Sequence, residues 1–179
     1  WKENLCVLDG DIEKAYDNTS FSTLVTSCDS VGCPRIVLGA WLRELTSQAT
    51  SFVLDGQCRS DSIKRTKALL QGDPSAPKLF NVCLDRPAAE FLQVCDKKDW
   101  GIKLKCSDNR TVRLSLVLFA DNFWLFSRKP EQLQEMIQQW LKCLRFYGWT
   151  TPARELCWCS TMADQIPAGI MVDDEIIKR

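Results

Sequence analysis

Hydrophobic and polar positions along this chain fall into short blocks with different periods. Leu5-Cys6-Val7-Leu8 is a continuous apolar run that stops at Asp9-Gly10-Asp11, and it predicts a buried strand. Pro34 opens a helical stripe at Ile36, Val37, Trp41, Leu42 and Leu45. Phe52-Val53-Leu54, then Asp55-Gly56, then a return through residues 63–67 predicts a hairpin with a long loop. Gln71-Gly72-Asp73-Pro74 is a sharp turn, with Asp73 as the expected N-cap and Pro74 as the first helical residue. The helix that follows should bury Leu79, Phe80, Cys83 and Leu84 and end near Cys95. Residues 102–106 and 112–119 predict strands, the second alternating at Val112, Leu114, Leu116 and Leu118. Ala120-Asp121-Asn122 interrupts the apolar pattern before Phe123-Trp124-Leu125-Phe126 resumes it, so a hairpin tip carries an acid. Pro130 starts the clearest helix, with Leu133, Met136, Ile137, Trp140, Leu141 and Leu144 on one face and Gly148 at its end. Short strands are expected at residues 156–159 and 170–172. The order β, α, β-hairpin, α, β-hairpin, α, β predicts an α+β domain with an antiparallel sheet packed against helices.

Composition narrows the chemistry. A chain of 179 residues that is 45% hydrophobic can bury a core as one domain. Lys plus Arg equals Asp plus Glu at 23 each, so the chain lacks the basic excess of a free-standing nucleic-acid binder. The absence of histidine removes imidazole from catalysis and metal binding, leaving carboxylates, metals and backbone groups. The ten cysteines include no Cys-x-x-Cys pair and lie mostly in apolar runs, which reads as reduced thiols in an intracellular protein, nuclear or cytoplasmic. No run of 18 apolar residues is present, so no membrane span is expected. The first residues are not a signal peptide, and both ends read as cuts through a larger protein.

Acids stand where strands are predicted to end: Asp9 and Asp11 after the first, and Asp121 at the hairpin tip. Carboxylates on neighbouring strands can hold two Mg²⁺ ions about 3.5–4 Å apart, the arrangement used for nucleotidyl transfer. A site of oxygen donors without histidine suits Mg²⁺ better than zinc. Each acid alone also fits an ordinary role, since Asp-Gly and Asp-Asn are common turn formers.

Three motifs taken together are more specific. Asp11-Ile12-Glu13-Lys14-Ala15-Tyr16-Asp17 resembles the first catalytic motif of reverse transcriptases, above all those of non-LTR (LINE-type) retrotransposons. Gln71-Gly72-Asp73-Pro74-Ser75-Ala76-Pro77 resembles their second motif, and Phe119-Ala120-Asp121-Asn122 their third. The resemblance implies a right-hand polymerase palm over residues 1–179, with partial fingers near 18–70. The remaining fingers would lie before Trp1 and the thumb after Arg179. It implies an RNA-directed DNA polymerase with RNA template, DNA primer and deoxynucleotides as partners, using two Mg²⁺ ions, with Mn²⁺ as a substitute. Asp11 and Asp121 would be the catalytic metal ligands, with the carbonyl of Ile12 completing the shell. Tyr16 would block a 2′-hydroxyl, while Gln71, Gly72 and Asn122 would line the nucleotide site. Lys14 is expected on a solvated face.

The departures are informative too. Asn122 stands where the third motif has its second acid, Leu70 where the family often has Arg, and Arg154-Glu155 where the fourth motif has Lys-Thr. Arg does not release a proton readily, which weakens a proton donor at that place. The alternatives are a decayed retroelement domain that keeps the fold and contacts RNA without catalysis, an RNA-directed RNA polymerase (disfavoured by Tyr16), and an unrelated α+β interaction domain.

Overall fold

The computed structural model describes residues 4–54, 58–64, 67, 69–70, 72–161 and 169–177. In chain order the elements are β1 (Cys6–Asp11), α1 (Ala15–Asn18), α2 (Phe21–Ser30), α3 (Arg35–Ser47), β2 (Ala49–Thr50), β3 (Val53–Leu54), β4 (Cys58–Arg59) and β5 (Ile63–Lys64). There follow α4 (Ala76–Lys98), β6 (Ile102–Lys105), β7 (Thr111–Leu114), β8 (Leu116–Phe119), β9 (Asn122–Ser127), α5 (Pro130–Phe146), β10 (Leu156–Ser160), β11 (Ile170–Val172) and β12 (Glu175–Ile177). A single 3₁₀ turn, Ala153–Glu155, precedes β10. Two compact units result: one takes the described residues up to Glu13 with those from Arg86 onward, the other Lys14–Asp85.

The first unit holds the four-stranded antiparallel sheet, in the order β10-β1-β9-β8. β1 is central: Cys6 pairs with Ser127 on one side and with Ser160 on the other. Strict alternation puts Cys6, Leu8, Phe123, Leu125, Leu156 and Trp158 on the buried face. Helix α5 lies against that face and buries Leu133, Met136, Ile137, Trp140 and Leu144. Trp140 meets Phe123 of β9 edge-on at 5.7 Å between ring centroids and Phe91 of α4 at 5.4 Å. Gln134 clips β11 to α5 by donating to the Met171 carbonyl at 2.6 Å and accepting from the Met171 N–H at 2.7 Å.

In the second unit α2 starts at Ser20, whose hydroxyl accepts the Thr23 N–H at 3.0 Å. Helices α2 and α3 contact each other, and β2 pairs with β5 while β3 pairs with β4. Leu24, Cys28, Leu38, Leu45, Phe80 and Cys83 are buried.

Several expectations need correction. Helix α4 begins at Ala76, two residues after the expected start at Pro74, and runs to Lys98. Asp73 caps a turn instead: its Oδ1 accepts the Ser75 N–H at 2.7 Å and the Ser75 hydroxyl at 2.8 Å. Those bonds to its charged form lower the Asp73 pKa. The strand expected at 112–119 is broken at Ser115, whose hydroxyl donates to the Trp100 carbonyl at 3.0 Å. Before Ser115 the chain pairs with β6, and after it with β9. Helices α1 and α2 and strand β12 are further elements that the hydrophobic pattern does not predict.

Cys6, Cys28, Cys33, Cys83, Cys95, Cys106, Cys143, Cys157 and Cys159 are free thiols; Cys6, Cys28, Cys83, Cys95 and Cys143 are buried, whereas Cys106, Cys157 and Cys159 are exposed. Burial pushes the Cys83 thiol up to about 12 and Cys95 up to about 11, so both stay protonated and inert. Among the described residues no helix is long and apolar enough to cross a membrane.

Candidate active site

Strand β1 runs on to Asp11, so Asp9 and Asp11 lie within the strand and not past its end. The apolar run stops at Leu8 because only alternate positions need be apolar from there. Gly10 takes the buried face, and Asp9 and Asp11 take the other. Gly10 is therefore no turn former. A Cβ at this position would stand 2.4 Å from Phe123 Cζ and 2.5 Å from Leu156 Cδ2, both in the core. Gly10→Ala is expected to destabilise the protein by about 1–3 kcal/mol through overpacking. Chemical denaturation measures this, and an unchanged midpoint would contradict the packing described.

Asp121 occupies the second place of a two-residue turn between β8 and β9, closed by the pair Phe119↔Asn122. Its neighbour Ala120 adopts φ 54°, a left-handed conformation that favours glycine. A side chain held there is a local strain of about 1–3 kcal/mol, kept by the surrounding ladder. Asp11 pairs across the ladder with Asn122, and the Ile12 N–H donates to the Asp121 carbonyl at 3.0 Å. Cross-strand Cα atoms lie about 4.5–5.5 Å apart and successive ones 3.8 Å, so the Cα atoms of Asp11 and Asp121 are within roughly 9 Å. The structure thus brings Asp11, Ile12, Asp121 and Asn122 into one corner of the sheet.

The electrostatics agree with the geometry. Burial raises the Asp11 pKa most, followed by the negative charge of Asp121 and then that of Glu155; a hydrogen bond from the Ile12 backbone opposes them, and Asp9 adds a further push upward. Asp11 Oδ1 is buried and has no hydrogen-bond partner among the described residues. Such an oxygen beside a second carboxylate is what a cation would satisfy. No group of three or more His, Cys, Asp or Glu side chains is set to hold a metal among the described residues. Mg²⁺ does not require one, because it commonly binds through one or two carboxylates and takes its other oxygens from water, backbone and substrate phosphate. Asp11, Asp121 and the Ile12 carbonyl fit that donor set.

Sequence reasoning missed the surroundings of the pair. Glu155 acts on Asp11 from the turn before β10, and Arg154 donates to Glu13 Oε1 at 2.6 Å. Neither partner is visible from spacing, since more than 140 positions separate them. A cavity of about 360 Å³ lined by Asp99, Gly101, Lys103, Arg128, Lys129 and Gln132 lies beyond Ser127, at the end of β9 away from the acids.

The other site candidates belong to the Lys14–Asp85 unit. Tyr16 is half-buried on α1, its ring 5.2 Å from that of Phe80. Gly72 is exposed with φ 95°, and nothing lies within 4 Å of where its Cβ would be. Glycine is required there by the left-handed backbone. Lys14 is exposed, as expected. Gln71 lies outside the described residues.

An antiparallel sheet packed against helix α5, with one acid on a central strand and another on the adjoining hairpin turn, has the architecture of a right-hand polymerase palm. Residues 1–159 match the family model of reverse transcriptase (RNA-dependent DNA polymerase). The chain belongs to the reverse transcriptase family. Comparison with curated proteins finds no significant match. Among solved structures, the chain resembles an apo telomerase from Candida tropicalis truncated from its C-terminal domain, with TM-score 0.69 and 12% identity over 92% of this chain and 32% of that one. It also resembles telomerase from Candida tropicalis in complex with a fragment of telomeric RNA, with TM-score 0.68 and 8% identity over 90% of this chain and 27% of that one. Telomerase from Candida albicans in such a complex follows, with TM-score 0.55 and 13% identity over 93% and 29%. At these identities the likeness establishes the fold, and the chain spans a third or less of the telomerases it matches.

Proposed function

We propose that this chain is the catalytic palm of an RNA-directed DNA polymerase from a non-LTR (LINE-type) retrotransposon, adding deoxynucleotides to a primer 3′-hydroxyl on an RNA template. The observation that carries the reading is the pairing of Asp11 with the Asp121 turn, where Asp11 Oδ1 is buried beside a second carboxylate and has no hydrogen-bond partner among the described residues. The three motifs supply the retrotransposon assignment, and family membership supports the polymerase chemistry. Its place of action is proposed to be inside the cell, nucleus or cytoplasm, where free thiols stay reduced.

Each residue has a role with a physical reason. Asp11 and Asp121 would hold the two Mg²⁺ ions, with the Ile12 carbonyl as a further oxygen. When bound, those ions supply charge neutralisation at the triphosphate and a more acidic primer hydroxyl. The ladder and the Ile12–Asp121 hydrogen bond hold both carboxylates in place before substrate arrives, which lowers the reorganisation needed. Asn122 offers an oxygen without a charge, so it weakens cation affinity relative to a second acid. Tyr16 is assigned the steric discrimination against a 2′-hydroxyl, and Gln71 and Gly72 the lining of the nucleotide pocket.

The test is primer extension by the full-length parent on an RNA template with Mg²⁺, comparing deoxy- with ribonucleotides. Extension with deoxynucleotides supports the reading; preference for ribonucleotides replaces it with RNA synthesis. Tyr16→Ala is expected to raise ribonucleotide incorporation roughly tenfold or more, the scale of one lost steric contact. A second reading is favoured by Asn122, which stands directly opposite Asp11 where the family places an acid: a decayed domain that keeps the fold and contacts RNA without catalysis. A parent inactive with both nucleotide types supports that one.

A further inference from the structure

We infer that Arg154 is a positioning residue, locking the end of β1 through Glu13 so that Asp11 and Ile12 stay registered on the Asp121 turn. The inference deepens the polymerase reading and rests on it. Three bonds converge on consecutive residues of β1 and its continuation. The Ile12 N–H donates to the Asp121 carbonyl at 3.0 Å, and the Glu13 N–H donates to the Thr150 carbonyl at 2.9 Å. Arg154 Nη2 donates to Glu13 Oε1 at 2.6 Å. The first ties the site to the turn carrying the second acid. The other two tie the adjoining residue to the segment between Gly148 and β10. Arg154 Nε also lies 3.4 Å from Glu155 Oε1, so the guanidinium is shared between two carboxylates from different parts of the chain.

This geometry explains why arginine can stand where the family's fourth motif has lysine. A guanidinium keeps its proton at any working pH, so it cannot serve as the acid that protonates a leaving group. Its planar fork is better suited than an ammonium to hold two carboxylates at fixed angles. The pair is partly exposed, with 66% of the Arg154 side chain and 36% of the Glu13 side chain accessible. Such a pair adds little to global stability. Its consequence is local: it sets how often the end of β1 lifts from the turn.

Charge and clamping predict different signs, which makes the inference testable. Removing a cation near the acids should tighten divalent binding if Coulomb forces alone acted, whereas removing Glu13 should weaken it. A clamp makes both changes weaken it. Amide hydrogen exchange at Ile12 and Glu13, without metal, and Mn²⁺ affinity by electron paramagnetic resonance would be measured for the protein and for Arg154→Gln, Glu13→Gln, the double variant and the charge swap Glu13→Arg/Arg154→Glu. Each single change is expected to speed exchange at both amides, and to weaken Mn²⁺ binding, by about 3- to 10-fold. The double variant should be no worse than either single, and the swap should recover most of the loss. Unchanged exchange in Arg154→Gln overturns the clamp, as does tighter Mn²⁺ binding or additive losses in the double variant. Absence of Mn²⁺ binding in the unaltered protein removes the metal site of the polymerase reading, and exchange then decides the clamp alone.

Discussion

Asp121→Ala is expected to reduce primer extension by the full-length polymerase about a thousandfold or more, since under the proposed function it loses a metal ligand, which removes several kcal/mol of transition-state charge stabilisation. The fold should survive. Asp121 lies in a turn, and the bond that anchors it to Ile12 uses its main-chain carbonyl, which alanine keeps. Removing its charge also relieves Asp11, whose carboxylate it disfavours. The metal-free variant should therefore be as stable as the original or slightly more so, by about 0.5 kcal/mol given partial solvent screening. Loss of activity without loss of stability is the signature of a residue kept for chemistry. Activity within tenfold of the original would contradict the role assigned to Asp121.

Trp140→Ala should have the largest effect on stability, about 3–5 kcal/mol. Its indole is fully buried, touching Phe91 of α4 and Phe123 of β9, and it joins both helices to the sheet. Phe123 in turn fills the space above Gly10, between the two aspartates of β1. A cavity at Trp140 thus loosens the layer on which the acids stand. For a chain of this size the midpoint of thermal unfolding should fall by roughly 10 °C. Trp140→Phe is a sharper comparison. The indole N–H has no hydrogen-bond partner among the described residues, so phenylalanine gives up packing volume but no bond. The expected loss is under about 2 kcal/mol. Equal losses for the two variants, read by calorimetry, would contradict this.

Long periodic segments were the most legible parts of the fold. Helix α5 announces itself by Pro130 at its start, six apolar positions on one face and a left-handed Gly148 just past its end. The β8–β9 hairpin is equally clear, because two apolar runs flank a polar pair. Helix α2 was hidden by its serines and threonines, which in isolation read as loop; its start depends on a single hydroxyl cap at Ser20. The break at Ser115 could not be read from alternation, because β7 and β8 keep the same period while changing partners. At the switch the Ser115 hydroxyl donates to the Trp100 carbonyl, a bond between residues distant in sequence.

The site was legible to the extent that it is local. Asp11 and Asp121 sit in short motifs, and pairing β1 with β9 places them together. Gly10 was misleading: beside an aspartate it reads as a turn, yet the demand on it comes from Phe123 in three dimensions. Glu13, Arg154 and Glu155 form a charged corner that no local pattern reveals, since each charge has an ordinary surface alternative.

Under the proposed function, Asp11 and the Asp121 turn form one divalent-cation site. Mn²⁺ titration of the ¹⁵N-labelled protein, followed by paramagnetic broadening of its amide signals, tests it most directly. The amides of Asp11, Ile12, Asp121 and Asn122 should broaden first and together, and Asp11→Asn should abolish the effect. Broadening centred elsewhere, such as the exposed Asp99 or Asp108, or unchanged by Asp11→Asn, would contradict the account.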